Sequence, residues 1–104
     1  MSAMKEKMRA AEAELRRLLE RNTLTSGMYV RTHGDHLIAG RREPTGPAGA
    51  LEDDRVRFTQ LSRNRYGLSV KRHTGRWEKT PFLGSMRETV DAVCSFMQHL
   101  VAPY

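Results

Sequence analysis

Residues 65–82 read RYGLSVKRHTGRWEKTPF, and this stretch decides the fold. In its first half the residues fall into two alternating sets, Tyr66, Leu68 and Val70 in one, Arg65, Gly67, Ser69 and Lys71 in the other. Alternation with a period of two is typical of a strand with one buried face. We therefore predict a strand with its apolar side on a core and its basic side in water.

The turn at residues 73–76 sets which face of the next strand carries Trp77, the only tryptophan in the chain. An even-numbered loop places Trp77 on the apolar side, opposite Arg72, whereas a three-residue loop ending in a glycine bulge places it on the solvent side. Burying a large apolar side chain is worth roughly 1.5–3 kcal/mol, more than turn preferences usually supply. We therefore predict the even register, with the indole inside.

The preceding residues, RVRFTQLSR, show the same alternation. Val56 and Phe58 point inward in this pattern, while Arg55 and Arg57 point outward. Leu61 is apolar at a position where this alternation places an outward-pointing side chain, which indicates a bulge or the end of the strand. Residues 55–82 are thus predicted to form a three-stranded meander, and a proline near its end, Pro81, favours an edge position for its last strand.

Upstream, residues 28–42 hold two short β-prone runs around Gly34 and Asp35, which predicts a hairpin with a type II′ turn. Residues 43–54 are rich in proline, glycine and acids and are predicted to be a solvated loop.

Both ends of the chain show helical periodicity. Residues 3–21 carry an apolar stripe of Met4, Met8, Ala11, Leu15 and Leu18. Residues 86–101 carry a second stripe of Met86, Val90, Val93, Met97 and Leu100, with Phe96 and Val101 alongside. Ser85 and Glu88 form the pattern of a capping box at the start of this second helix.

These elements predict an α+β fold: an antiparallel sheet of about five strands, made of a hairpin and a three-stranded meander, with the N- and C-terminal helices packed on one face. A chain of 104 residues is too short for two independent cores, so we expect residues 1–104 to form a single domain. The sheet face away from the helices is expected to lie in water.

The positive charge is concentrated on that outer face. The net charge is +6, and residues 55–79 carry eight basic residues and one acid, so that this segment accounts for +7 and the rest for −1. A localised excess predicts an acidic partner, most often nucleic acid. The residues predicted to bind it are Arg55, Arg57, Arg65, Lys71 and Arg76.

Because the predicted register leaves no aromatic residue on the outer face, this binding is expected to use backbone phosphates and to be sensitive to salt. An acidic protein surface, which is negatively charged like nucleic acid, is a further predicted partner. The alternative function is a protein-interaction or homodimeric structural module.

Other candidate sites are weaker. His33 and His36 flank the hairpin turn, and with Asp35 or His73 they could supply ligands to zinc, but turn histidines are usually plain polar residues, so we predict no metal and no cofactor. Cys94 and His99 are assigned structural roles.

The acids lie in a loop or on helix flanks, and the chain has no nucleophile elbow or phosphate-binding glycine loop, so we predict that it is not an enzyme. A single cysteine, no signal-like N-terminus and no apolar run of membrane-spanning length favour a cytoplasmic protein with no membrane partner.

Overall fold

The computed structural model of the chain describes residues 2–43 and 51–103, with side chains described for 8–42 and 51–103. The elements, in order, are α1 (Ser2–Glu20), β1 (Tyr29–His33), β2 (His36–Glu43), β3 (Leu51–Ser62), β4 (Arg65–Lys71), β5 (Trp77–Gly84), α2 (Met86–Phe96) and α3 (Gln98–Val101). The strands form one antiparallel sheet in the order β1-β2-β3-β4-β5. The α+β architecture predicted from the sequence is confirmed.

The core lies between one face of this sheet and the helices. Its fully buried side chains include Leu15 and Leu19 of α1, Leu37 of β2, Val56 and Phe58 of β3, Leu68 of β4 and Val93 of α2. The alternation in β3 and β4 therefore has the predicted inward set. We call the sheet face that carries these residues the inner face, and the opposite one the outer face.

The first hairpin has the predicted two-residue turn. His33 pairs with His36, and Gly34 has φ +63°. Because no non-glycine residue in the described chain has a positive φ, Asp35 has a negative one, which is the pattern of a type II′ turn. Glycine is required at the first turn position since L-residues rarely adopt this conformation.

The loop predicted at residues 43–54 is wrong at both ends. Glu43 is still in β2, and β3 begins at Leu51, so that Glu52 pairs with Arg42 across the two strands. The cross-strand ion pair between Arg42 and Glu52, at 3.5 Å, favours strand pairing over a solvated loop. The middle of the predicted loop, residues 44–50, lies outside the described residues.

The C-terminal helix starts as predicted and ends early. Glu88 N–H donates to Ser85 Oγ at 3.1 Å and Ser85 N–H donates to Glu88 Oε1 at 2.8 Å, which is a complete capping box. The continuous helix predicted to residue 101 is interrupted at Met97, whose φ is −124°. Phe96, which was predicted to lie along the stripe, is the last residue of α2; it is 67% exposed and stacked on Phe82 of β5 with ring centroids 5.4 Å apart.

The predicted register of β4 and β5 is also wrong. Trp77 pairs with Lys71 rather than Arg72. Gly75 N–H donates to Arg72 O, and Arg72 N–H donates to Arg76 O, both at 2.8 Å, so the hairpin closes through three residues. Gly75 has φ +87° and provides the left-handed residue that this loop requires. Trp77 consequently lies on the outer face.

A buried arginine joins three parts of the fold. Arg41 points to the inner face and is 6% exposed. Its guanidinium donates to the carbonyl oxygens of Leu24 at 2.8 Å, Ser26 at 2.7 Å and Val101 at 3.0 Å. Arg41 thus ties the α1–β1 connection to the end of α3, and burial lowers its pKa.

Arg41→Lys is expected to reduce the free energy of unfolding by about 2–3 kcal/mol, because one ammonium group cannot reach three carbonyls and leaves buried acceptors without donors. Urea denaturation followed by circular dichroism measures this change. Arg42→Lys is the matched control at the next residue, where the side chain is exposed, and equal losses in the two variants would contradict the structural role of Arg41.

Candidate binding site on the outer sheet face

The outer face is organised in three cross-strand rows. The first is His33, His36, Thr59, Gly67 and Leu83; the second is Arg31, Ile38, Arg57, Ser69 and Lys79; the third contains Tyr29, Gly40 and Asp54 on one side and Lys71 and Trp77 on the other. Side chains in a row share one face and lie about 5 Å apart between neighbouring strands. The rows place Arg57 of β3 and Lys71 of β4 beside the tryptophan.

We call Arg57, Lys71, Trp77 and Lys79 the Trp77 cluster. The guanidinium carbon of Arg57 lies 5.0 Å from the centre of the indole ring, and Lys71 Nζ lies 6.0 Å from it. Both distances fall within the range of cation–π attraction. The indole therefore holds two cations on one patch of the sheet.

The guanidinium of Arg57 has donors to spare. It forms no ion pair or hydrogen bond with any described residue, and its Nε is buried without a partner. Lys71 and Lys79 likewise form no ion pair within the described part of the chain. An arginine carries five N–H donors in a planar fork that matches phosphate or carboxylate oxygens. Apart from the buried Nε of Arg57, the cations of the Trp77 cluster thus carry donors that no described residue occupies.

On the β1 side of the outer face, charges are paired internally. Arg31 donates to Asp54 Oδ2 at 2.6 Å and Tyr29 Oη donates to Asp54 Oδ1. Burial raises the pKa of Asp54, but the hydrogen bonds from Arg31 and Tyr29 outweigh it and leave the pKa below its ordinary value. Burial and the Asp54 carboxylate raise the pKa of Tyr29. This side of the outer face is neutralised, so the cations of the cross-strand rows that lack an ion pair among the described residues lie on β3, β4 and β5.

Gly40 makes room for the tyrosine on this side. A Cβ at Gly40 would lie 2.5 Å from Tyr29 Oη and would clash with the carbonyl oxygen of Asp53. Tyr29 is therefore buried on the outer face, and the guanidinium of Arg42 lies 5.4 Å from its ring centre.

The predicted site residues separate into three groups. Arg57 and Lys71 come together at the indole, and Arg76 is exposed in the adjoining loop. Arg65 is exposed at the opposite end of β4, about 20 Å from Lys71 along the strand. The pKa of Glu88 is lowered mainly by hydrogen bonds from Ser85, and the charge of Arg65 makes a smaller contribution. Arg65 therefore lies near the start of α2 and away from the indole.

Arg55 is not on the outer face, and this part of the prediction is wrong. Gly40 pairs with Asp54 and Ala39 with Val56, so Arg55 is the extra residue of a bulge. Its guanidinium donates to Leu100 O at 2.6 Å and to Asp53 Oδ2 at 2.9 Å. The bulge turns Arg55 toward the C-terminal carbonyls, where a cation stabilises the end of a helix.

The histidines do not assemble a metal site in the described chain. No three histidine, cysteine, aspartate or glutamate side chains come together there in a suitable arrangement. His36 Nδ1 is hydrogen bonded to Thr59 Oγ1 at 2.8 Å, and burial together with Arg57 lowers the pKa of His36. His73 lies in the β4–β5 loop, beyond the third row and away from the His33–His36 pair.

Cys94 and His99 lie away from the outer face. Cys94 packs against the core, and burial raises the pKa of its thiol, which favours the less reactive protonated form. His99 is exposed on α3.

Sequence reasoning missed Trp77 and Lys79 as members of the site. The available signal was Gly75 two residues before the tryptophan, since a three-residue hairpin loop ends in a left-handed glycine. Assigning a three-residue loop instead of an even-numbered one moves Trp77 and Lys79 from the inner to the outer face of β5.

Comparison of the chain with protein-family models, with curated proteins and with solved structures finds no match in any of the three. Among the described residues no helix combines the length and the apolar character needed to span a membrane.

The depressed pKa of Asp54 predicts a pH dependence of stability. Because the folded-state pKa lies below the ordinary value, the carboxylate stabilises the fold at neutral pH, and this contribution is lost as the pH falls through the folded-state pKa. Asp54→Asn is expected to cost about 1–3 kcal/mol near pH 7 and less near pH 3. Denaturant midpoints of wild type and variant at several pH values measure the difference. The control is Glu52→Gln, at an exposed ion pair; a constant difference for Asp54→Asn at all pH values would contradict the assignment.

Proposed function

We propose that the protein is a small, non-enzymatic nucleic-acid-binding module whose contact surface is the Trp77 cluster. The observation that carries the proposal is the set of cations that form no ion pair with a described residue and surround a half-buried indole on the outer sheet face. The inner face is covered by the helices and cannot supply this contact. Phosphate oxygens are the acceptors that several cations at strand spacing engage together.

Trp77 changes the expected mode of binding. With the indole on the outer face, a nucleic acid can contact an aromatic surface as well as phosphate-binding cations. Stacking of bases on aromatic side chains beside a basic groove is the usual arrangement for single strands. The proposed contact therefore combines Arg57, Lys71, Lys79 and the exposed Arg76 with Trp77.

A binding role fits the acids better than a catalytic one. The carboxylates with lowered pKa values are each engaged in structural hydrogen bonds: Asp54 with Tyr29 and Arg31, Glu88 with Ser85, and Glu20 with Ser26 and Gly27. With a single cysteine the fold needs no oxidising compartment, and we propose a cytoplasmic location.

The double variant Arg57→Gln/Lys71→Gln is expected to weaken binding to single-stranded oligonucleotides about tenfold near 0.1 M salt. It should also reduce the slope of log affinity against log salt by about 1.4, since each phosphate contact on a single strand contributes about 0.7. Fluorescence anisotropy over a salt series measures both quantities.

The matched control is Arg17→Gln/Arg21→Gln, which removes the same charge from exposed positions at the α1 end, away from the outer face. Equal losses of affinity in the two double variants would mean that net charge alone drives binding. No detectable nucleic-acid binding by the wild-type protein would overturn the proposal.

A second candidate function is self-association, and the exposed Phe96 favours it. Its ring is 67% exposed and stacks on the half-buried Phe82 of β5, the strand at one edge of the sheet that the described residues form. An edge strand beside an exposed aromatic ring is a surface on which a second copy can pack.

If this surface mediates dimerisation, the sedimentation coefficient should rise with concentration in the wild type, and Phe96→Ser should abolish that rise. Phe96→Ser is suited to the test because a largely exposed side chain contributes little to the core. A monomer at all concentrations would remove this second candidate. Leu51→Ser, at another exposed apolar residue, is the control.

A further inference from the structure

A cavity of about 250 Å³ opens on the outer face next to the Trp77 cluster. It lies across β3, β4 and β5. Leu61 and Leu83 flank it, Gly67 and Ser69 lie at its centre in the register of β4, and Arg57 and Lys79 also line it. Arg57 is therefore shared between the cavity and the indole.

Gly67 forms part of the floor of this cavity, where two leucine side chains close on the backbone of β4. A Cβ at position 67 would lie 3.3 Å from Leu83 Cδ2 and 3.4 Å from Leu61 Cδ1, which is tighter than an ordinary van der Waals contact. Gly67 does not have a positive φ, and its backbone conformation suits any residue. Room for the two leucine side chains beside the cavity, and not backbone freedom, is what the absence of a side chain supplies here.

The strand geometry widens the space further. Gly67 pairs with Leu83 and Ser69 with Lys79, so β5 has extra residues in a bulge between these two pairs. Within the bulge Thr80 Oγ1 donates to Leu68 O at 2.8 Å, which satisfies that carbonyl where the ladder is interrupted. The bulge keeps Lys79 and Leu83 on the same face, at opposite ends of the cavity.

The lining combines apolar sides with anion-binding groups. The side chains of Leu61 and Leu83 are both more than half exposed, an unusual state for two leucines of a small domain. The hydroxyls of Thr59 and Ser69 and the cations Arg57 and Lys79 provide polar contacts. An occupant that matches this lining has a flat apolar body with polar edges and an attached anion.

The size of the cavity fits one nucleobase. At roughly 30 Å³ per water molecule, about 250 Å³ corresponds to about eight waters, which is room for a pyrimidine-sized ring. A base placed in the cavity against Leu61 and Leu83 would bring its own phosphate toward Arg57 and Lys79, which line the same cavity.

Resting on the proposed function, we propose that this cavity binds a single unstacked base, with the adjoining phosphate on Arg57 and Lys79, and that the substrate is therefore single-stranded. A base inside a duplex cannot enter such a cavity without being extruded, which costs a few kcal/mol. The cavity supplies selectivity for single strands, and the surrounding cations supply affinity that does not depend on the bases.

Fluorescence of Trp77 tests the proposal, since the chain contains no other tryptophan. The wild-type protein is titrated with a short oligothymidylate, with the same strand lacking its bases, and with its duplex. The intact single strand is expected to bind about tenfold more tightly than either of the other two. Equal affinities for all three would overturn the cavity proposal and leave nucleic-acid binding intact.

The variant Gly67→Leu fills the cavity without changing charge. It is expected to weaken binding of the intact strand about tenfold and to leave binding of the base-free strand and the salt slope unchanged. Thr32→Leu, which adds a leucine at an exposed strand position outside the cavity, is the control. Unchanged binding of the intact strand by Gly67→Leu would overturn the proposal.

If Gly67→Leu fails to fold, the affinities of the wild-type protein for the intact and the base-free strand still show whether the cavity binds a base. A complete absence of binding to any of the three nucleic acids would refute the proposed function itself. A medium-chain alkyl carboxylate that changes Trp77 fluorescence and is not displaced by oligothymidylate would refute the base-binding role and would indicate an amphipathic anion as the ligand.

Discussion

The backbone of Gly75 decides which face of the sheet carries the tryptophan. Its φ of +87° closes a three-residue loop between β4 and β5 and sets Trp77 opposite Lys71. Because side chains alternate along a strand, the other register would exchange the faces of the β5 residues next to the turn, moving Trp77 inward and Glu78 outward. The arrangement of the outer face around Arg57, Lys71 and Trp77 follows from this one conformation.

Trp77 lies outward without losing all of its burial, because the outer face is not bare. Long basic side chains carry apolar stems, and these cover neighbouring apolar surface while their charged ends stay in water. Ile38 shows the effect: it lies on the outer face between Arg31 and Arg57 and is only 4% exposed. Trp77 likewise gains partial burial from Arg57 and Lys71 without entering the core, so turn geometry could determine the register at little cost.

Features set by local pattern were predictable, and features set by tertiary contacts were not. Period-two alternation identified the inner set of β3 and β4, the first hairpin followed from Gly34, and the capping box placed the start of α2. The same alternation correctly predicted that Arg57 and Lys71 lie on one face of the sheet. The bulge at Arg55 and the helix break at Met97 depend on carbonyls and packing partners distant in sequence, which no periodicity records.

The basic residues of this chain therefore include a structural group and a group that we propose binds a partner. Arg41 and Arg55 bind backbone carbonyls of the α1–β1 connection and of the C-terminal helix, so part of the positive charge is structural. The proposed binding patch on β3, β4 and β5 is smaller than the charge-rich segment of the sequence. Under the proposed function, a patch of this size gives modest electrostatic affinity, so discrimination between partners has to come from shape. The indole and the leucine-walled cavity share Arg57, and a ligand that reaches both receives its anion contact and its apolar contact from adjoining residues.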